Sequence, residues 1–190
     1  LSFVGCSDIV AANATEDSRQ ARPGTVFVAI SGTRTDGVAF ARDAVKRGCS
    51  AVLCERPLPD VSVPQCIVPD ARLAYSHLCD AIFGYPSRRL KVCGITGTNG
   101  KSTTAWLLQS ILTAAGERCG LLGTIEYSDS VSAEPATLTT PDSRRASQWF
   151  RRMIDAGATC AAIELSSHAL QQRRAAATPL AAAVISPSRP

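Results

Sequence analysis

The residues with the clearest chemistry lie in Val92-Cys93-Gly94-Ile95-Thr96-Gly97-Thr98-Asn99-Gly100-Lys101-Ser102-Thr103-Thr104. An apolar run enters a glycine-rich turn, and the turn enters a segment with helical spacing. Glycines let backbone N–H groups converge on phosphate oxygens, and a helix N-terminus adds partial positive charge. Lys101 supplies a full charge, and the Ser102 hydroxyl is of the kind that ligates Mg²⁺ beside a nucleotide. Gly97, Thr98, Asn99, Gly100, Lys101, Ser102 and Thr103 are therefore the candidate phosphate-binding residues. The strict phosphate-loop pattern would begin with a glycine at position 95, where this chain has Ile95. The loop reads as a variant of that motif.

A loop of this kind needs a strand before it and a helix after it, and the flanking pattern supplies both. Leu90 to Thr96 predicts a strand; residues 102–115 predict a helix with Leu107, Leu108, Ile111 and Leu112 on one apolar face. Further elements follow: a strand at 119–125, a polar loop at 127–140, a helix at 142–156, a strand at 160–165, a helical segment at 167–176 and an apolar run from Leu180 to Ile185. Upstream, strands are expected at 26–30, 51–54 and 66–68, with helices at 38–47 and 71–83, the second capped by Asp70. Gly84-Tyr85-Pro86-Ser87-Arg88-Arg89 interrupts the periodicity. The expectation is an α/β protein: a small N-terminal α/β domain at 1–88, then a phosphate-loop domain at 89–190 of the ATPase type, with a parallel sheet covered by helices.

Composition excludes several classes. With 190 residues, 45% of them apolar, and a formal charge of +4, the chain is neither disordered nor fibrous, and its charge is too small to argue for a nucleic-acid partner. No run of apolar residues is long enough for a membrane span, and the start has no basic segment before an apolar one, so a cytoplasmic location is the default. Eight cysteines without a C-x-x-C pair, many within apolar runs, predict buried and reduced thiols rather than disulfides or zinc. The sequence carries no signature of an oligomeric state.

The string Gly97-Thr98-Asn99-Gly100-Lys101-Ser102-Thr103-Thr104 resembles the nucleotide loop of the Mur ligase superfamily of ATP-dependent amide-forming enzymes. Thr139-Thr140-Pro141-Asp142 and Glu164-Leu165-Ser166-Ser167-His168-Ala169-Leu170-Gln171-Gln172-Arg173-Arg174 are similar to motifs of its UDP-N-acetylmuramoyl-L-alanyl-D-glutamate ligase branch. So are Asp17-Ser18-Arg19, Pro23-Gly24, Phe27-Val28-Ala29 and Gly32-Thr33-Arg34-Thr35-Asp36-Gly37 near the start. The resemblance implies a reaction in which ATP phosphorylates the D-glutamate carboxylate of UDP-MurNAc-L-Ala-D-Glu. A diamino acid, meso-diaminopimelate or L-lysine, then attacks the acyl phosphate. ATP and Mg²⁺ are the implied cofactors.

The same resemblance assigns roles residue by residue. Lys101 and Glu164 are the catalytic candidates, and Ser102 and Glu164 the Mg²⁺ ligands. Ser18 with the Thr33, Arg34 and Thr35 loop would bind the uridine and diphosphate in the N-terminal domain. Thr139, Thr140, Ser166, Gln172 and Arg174 would contact the muramoyl-dipeptide, with His168 in a supporting hydrogen-bond role. Helix capping is the competing reading for Thr140, with Asp142 an equal candidate for that cap. By the same resemblance the family continues past the Ser-Ser-His segment into residues that complete the ATP site and bind the amine. Ser186-Pro187-Ser188-Arg189-Pro190 does not resemble that continuation. The expectation is an incomplete central domain that does not ligate by itself and exposes a strand edge. Two further readings stand beside this one: another ligase of the superfamily, of the folylpolyglutamate or cyanophycin synthetase type, and a non-catalytic UDP-sugar-binding remnant.

Overall fold

A computed structural model describes residues 1–32 and 36–186. The chain divides into two compact units, Leu1–Ile82 and Phe83–Pro190, each with its own sheet.

In the first unit the elements are β1 (Ser2–Val4), β2 (Asn13–Thr15), β3 (Thr25–Val28), α1 (Ala41–Lys46), β4 (Ala51–Cys54), β5 (Gln65–Ile67) and α2 (Ala71–Ile82). The sheet order is β1-β5-β4-β3-β2; β2 to β5 pair in parallel and β1 pairs antiparallel to β5. Alternation sets its two faces. Val26, Val28 and Leu53 pack with Ala71, Tyr75 and Cys79 of α2, whereas Phe27, Ala29 and Val52 pack with Ala41 and Ala44 of α1. Asp70 caps α2 as expected, its Oδ1 accepting from Leu73 N at 2.8 Å. The helix expected at 38–47 begins as a 3₁₀ turn, Gly37–Phe40, before α1. Strands β1 and β2 are additions to the expected set; with three residues each, they are too short to show a period.

The second unit comprises β6 (Lys91–Gly97), α3 (Lys101–Ala114), β7 (Cys119–Leu122), β8 (Glu126–Ser128), β9 (Ala133–Pro135), α4 (Ser143–Asp155), β10 (Cys160–Glu164), α5 (Ser167–Gln171) and β11 (Leu180–Ser186). Its sheet runs β11-β6-β10-β7-β8-β9. β11, β6, β10 and β7 are parallel, so their C-terminal ends share one edge, where ligands collect in open α/β sheets. One face packs on α4 through Trp149, Phe150 and Met153, against Val92, Leu122, Tyr127 and Ile163. The other packs on α3 through Ala105, against Ile95, Leu121 and Ala162.

Several expectations are corrected. The polar loop at 127–140 contains an antiparallel hairpin, β8 and β9, that extends the sheet, so the sheet is mixed rather than wholly parallel. β9 is fully exposed and pairs through its backbone, which leaves no apolar alternation to read. The strand expected to reach 125 stops at Leu122, and the helix expected over 167–176 is short, giving way to turns after Gln171. Leu107 and Ile111 of α3 are 58% and 65% exposed, because the row facing the sheet runs through Ala105 and Leu108 instead. Residues 83–88 fall in the second unit, where the 3₁₀ turn Pro86–Arg89 packs on α4 after Gly84 and Tyr85, both at positive φ, reverse the chain. All eight cysteines are free; five are buried, Cys66 and Cys93 are half-buried, and Cys6 is exposed because it lies in the turn after β1.

Candidate functional site

The phosphate loop leaves β6 at Gly97 and enters α3 at Lys101. Gly97 has φ 137°, and a Cβ there would overlap the Ser186 carbonyl oxygen at the end of β11. Gly100 is the N-cap of α3 at φ 78° and provides no side-chain cap, which leaves the first-turn N–H groups for an incoming anion. Ile95 is fully buried within β6, so the first glycine of the strict motif would fall inside a strand, where this fold needs an apolar side chain. Lys101 Nζ spans the loop, donating to the carbonyl oxygens of Gly97 at 2.7 Å and Thr98 at 3.4 Å. Ser186 Oγ braces the loop from β11, donating to Asn99 O at 2.5 Å.

Glu164 ends β10 beside this loop and is 1% exposed. Ser102 Oγ donates to its Oε2 at 3.0 Å, so the first turn of α3 and the end of β10 converge on one carboxylate. A residue that sequence reasoning missed completes the cluster. Thr124, just past β7, donates its backbone N–H to Glu164 Oε1 at 2.9 Å and its hydroxyl to Oε2 at 3.0 Å. The preceding residue must be small, since a Cβ on Gly123 would lie 2.5 Å from Glu164 Oε1. The available signal was a Gly-Thr pair directly after an apolar strand, a weak one while residues 119–125 read as continuous strand.

The Thr139–Thr140 segment reaches the same place. Thr139 Oγ1 lies 3.2 Å from Thr124 Oγ1. Thr140 is buried, and its hydroxyl donates to Glu164 O at 2.7 Å while accepting from Ser166 N at 3.0 Å. The cap of α4 is Asp142, whose Oδ1 accepts from Arg145 N at 2.9 Å. Around Thr140, Arg174 Nη1 donates to its carbonyl at 3.0 Å and Arg174 Nε to Gln172 Oε1 at 2.9 Å. Gln172 Nε2 lies 2.8 Å from His168 Nε2, and Ser166 Oγ caps α5 by accepting from Ala169 N. Thus Lys101, Ser102, Thr139, Thr140, Glu164, Ser166, Gln172 and Arg174 are gathered along one edge of the second unit. His168 holds Gln172, a supporting position.

In the first unit Ser18 is buried, and its hydrogen bond to Asp43, with that of Arg47, holds the Asp43 carboxyl below the usual range. The expected partners Thr33, Arg34 and Thr35 lie outside the described residues.

No group of three or more His, Cys, Asp or Glu side chains forms a metal cage among the described residues. A single carboxylate beside a serine hydroxyl at the start of a phosphate loop is instead the donor set that suits Mg²⁺, which takes its remaining ligands from phosphate oxygens and water. Among the described residues, no helix is long and apolar enough to cross a membrane.

Comparisons with known proteins agree with this layout. The Mur ligase middle domain model matches residues 95–187, and a model described as Mur ligase family, catalytic domain, matches residues 13–81. The chain is 43% identical over 170 residues to the UDP-N-acetylmuramoyl-L-alanyl-D-glutamate–2,6-diaminopimelate ligase of Geobacillus thermodenitrificans (strain NG80-2), covering 90% of this chain and 34% of that protein. It is 44% identical over 160 residues to the enzyme of the same name from Aquifex aeolicus (strain VF5), covering 84% and 33% respectively. A solved structure of a ligase with this name superposes with a TM-score of 0.77 at 26% identity, over 94% of this chain and 37% of that one. The chain thus spans about a third of the length of the curated relatives it matches.

Proposed function

Because the chain belongs to the Mur ligase family, its two family models together spanning most of its length, we propose that it carries the nucleotide site and the acceptor site of a peptidoglycan-precursor ligase. In this reading the whole enzyme joins a diamino acid to UDP-MurNAc-L-Ala-D-Glu in an ATP-dependent reaction, in the cytoplasm. The relatives named for diaminopimelate favour that amine over L-lysine. They also favour this branch over the folylpolyglutamate and cyanophycin type. The observation that carries the reading is the meeting of Ser102 and Glu164, 3.0 Å apart, at the mouth of the phosphate loop.

A carboxylate is a poor acyl donor, so the γ-phosphoryl group must be held against it while negative charge accumulates. Gly97 to Lys101 present backbone N–H groups and an ammonium to the phosphates. Ser102 and Glu164 would hold Mg²⁺, which when bound neutralises charge on the transferring phosphoryl group. Arg174, fixed by the Thr140 carbonyl and Gln172, orients a cation toward the anionic acceptor. Thr139 offers the hydroxyl for the acceptor's oxygens, while Thr140 holds Thr139 and Ser166 on the end of β10. Ser18, with Thr33, Arg34 and Thr35, would take the uridine diphosphate end.

Calorimetric titration of the full chain with UDP-MurNAc-L-Ala-D-Glu tests the acceptor site. The expected result is saturable binding that Arg174→Ala weakens about tenfold, the loss of a charge-assisted contact. UDP alone is expected to bind both chains equally, and equal binding of the full UDP-MurNAc-L-Ala-D-Glu by that variant and the parent would leave only a UDP-sugar-binding remnant.

A further inference from the structure

The geometry points to Thr124 as the positioning residue for Glu164, the side chain that fixes how this carboxylate faces the phosphate loop. The inference deepens the nucleotide–metal reading above and rests on it.

A carboxylate at the end of a strand can rotate about its last bond, and each rotation changes which lone pairs face the nucleotide. Thr124 removes that freedom from two sides, with its N–H on Oε1 at 2.9 Å and its hydroxyl on Oε2 at 3.0 Å. Two donors from one residue, on different oxygens, define the carboxylate plane. Ser102 Oγ, 3.0 Å from Oε2, adds a third donor. A carboxylate has about four lone-pair sites, so one remains for a cation beside Ser102. A hydroxyl has a single proton, and the Thr124 proton goes to Glu164. Thr139, 3.2 Å away, must then donate to Thr124. The metal-ligand carboxylate and the acceptor-side hydroxyl are therefore joined through Thr124. Gly123 completes the device, because its missing Cβ is what lets Oε1 approach the Thr124 N–H.

Thr124→Val removes the hydroxyl and keeps the N–H and the side-chain shape; Thr124→Ser keeps both donors. The test uses the full chain with ADP and Mn²⁺ as the probe, following free Mn²⁺ by electron paramagnetic resonance, with ADP affinity in EDTA measured in parallel. The expected result for Thr124→Val is about tenfold weaker Mn²⁺ binding in the ADP complex, the loss of one hydrogen bond to a charged group. ADP affinity in EDTA is expected to stay at the parent value, and Thr124→Ser to restore Mn²⁺ binding. Unchanged Mn²⁺ binding by the Val variant, or a loss that Ser does not restore, would overturn the role of Thr124 while leaving the nucleotide site standing. A parent chain that binds no Mn²⁺ with ADP would overturn the underlying reading together with the inference.

Discussion

Glu164 is almost inaccessible to water, yet its carboxylate oxygens accept from three protein donors, one on Ser102 of α3 and two on Thr124 just past β7. A buried carboxylate without such partners would be strongly destabilising, so the cluster answers for its own burial. Lys101 and Ser102 could be singled out because the glycine-rich string that holds them has the residue types of a phosphate loop, whereas Glu164 was expected beside them only through the family resemblance. Gly123 and Thr124 were not, since a Gly-Thr pair after an apolar run has no chemistry until a partner is brought to it across the sheet. The cysteines give a further residue-scale prediction. Burial, reinforced by the facing Cys160, pushes the Cys119 thiol up from 9.0 to about 12, and burial also raises Cys49, Cys54, Cys66 and Cys93. A thiol whose folded pKa exceeds its unfolded value keeps its full stabilising contribution below the unfolded pKa. Above about pH 9 the unfolded chain loses the proton first, so stability falls as pH rises toward 12. Urea unfolding midpoints should therefore decline from pH 8.5 to 10.5 or so. A midpoint that holds or climbs over that range would contradict the assignment.

Elements carry these residues to the site. α4 is bound to the sheet by Trp149, Phe150 and Met153, with Gly120 leaving room for Met153, and it is started by the Asp142 cap. Because Asp142 follows directly on Thr139–Pro141, the cap also anchors the segment that reaches Glu164. Asp142→Ala should cost about 1 kcal/mol of stability, the usual loss for an acidic N-cap. Chemical denaturation monitored by tryptophan fluorescence would check it, and an unchanged midpoint would remove the cap from the account. The parallel strands and α2 were legible from their apolar periodicity. The β8–β9 hairpin was not, because its turn is closed by Asp129, whose Oδ1 accepts from Val131 N and Ser132 N, and β9 buries nothing. The exposed face of α3 shows the same limit from the other side: Leu107 and Ile111 have the spacing of core residues, while the contact row is set by Ala105, which is small enough to let the helix approach the sheet. At the sheet edge, β11 is exposed along Leu180–Ile185 and, among the described residues, pairs only with β6.

For the whole molecule, 190 residues and a charge of +4 excluded classes of function without choosing one. The proposed function rests instead on the phosphate loop and on the meeting of Ser102 and Glu164, 3.0 Å apart, at its mouth. Each unit closes its own core around its own sheet, and the proposed nucleotide site belongs to the second. There, in the proposed reading, the loop from Gly97 to Ser102 and the carboxylate of Glu164 form one Mg²⁺-dependent nucleotide site. Titration of the full chain with ATP, in Mg²⁺ and again in EDTA, tests this most directly. The expected binding is tighter in Mg²⁺, abolished by Lys101→Ala, and stripped of its Mg²⁺ dependence by Glu164→Gln. ATP binding that is indifferent to Mg²⁺ and to both substitutions would contradict it.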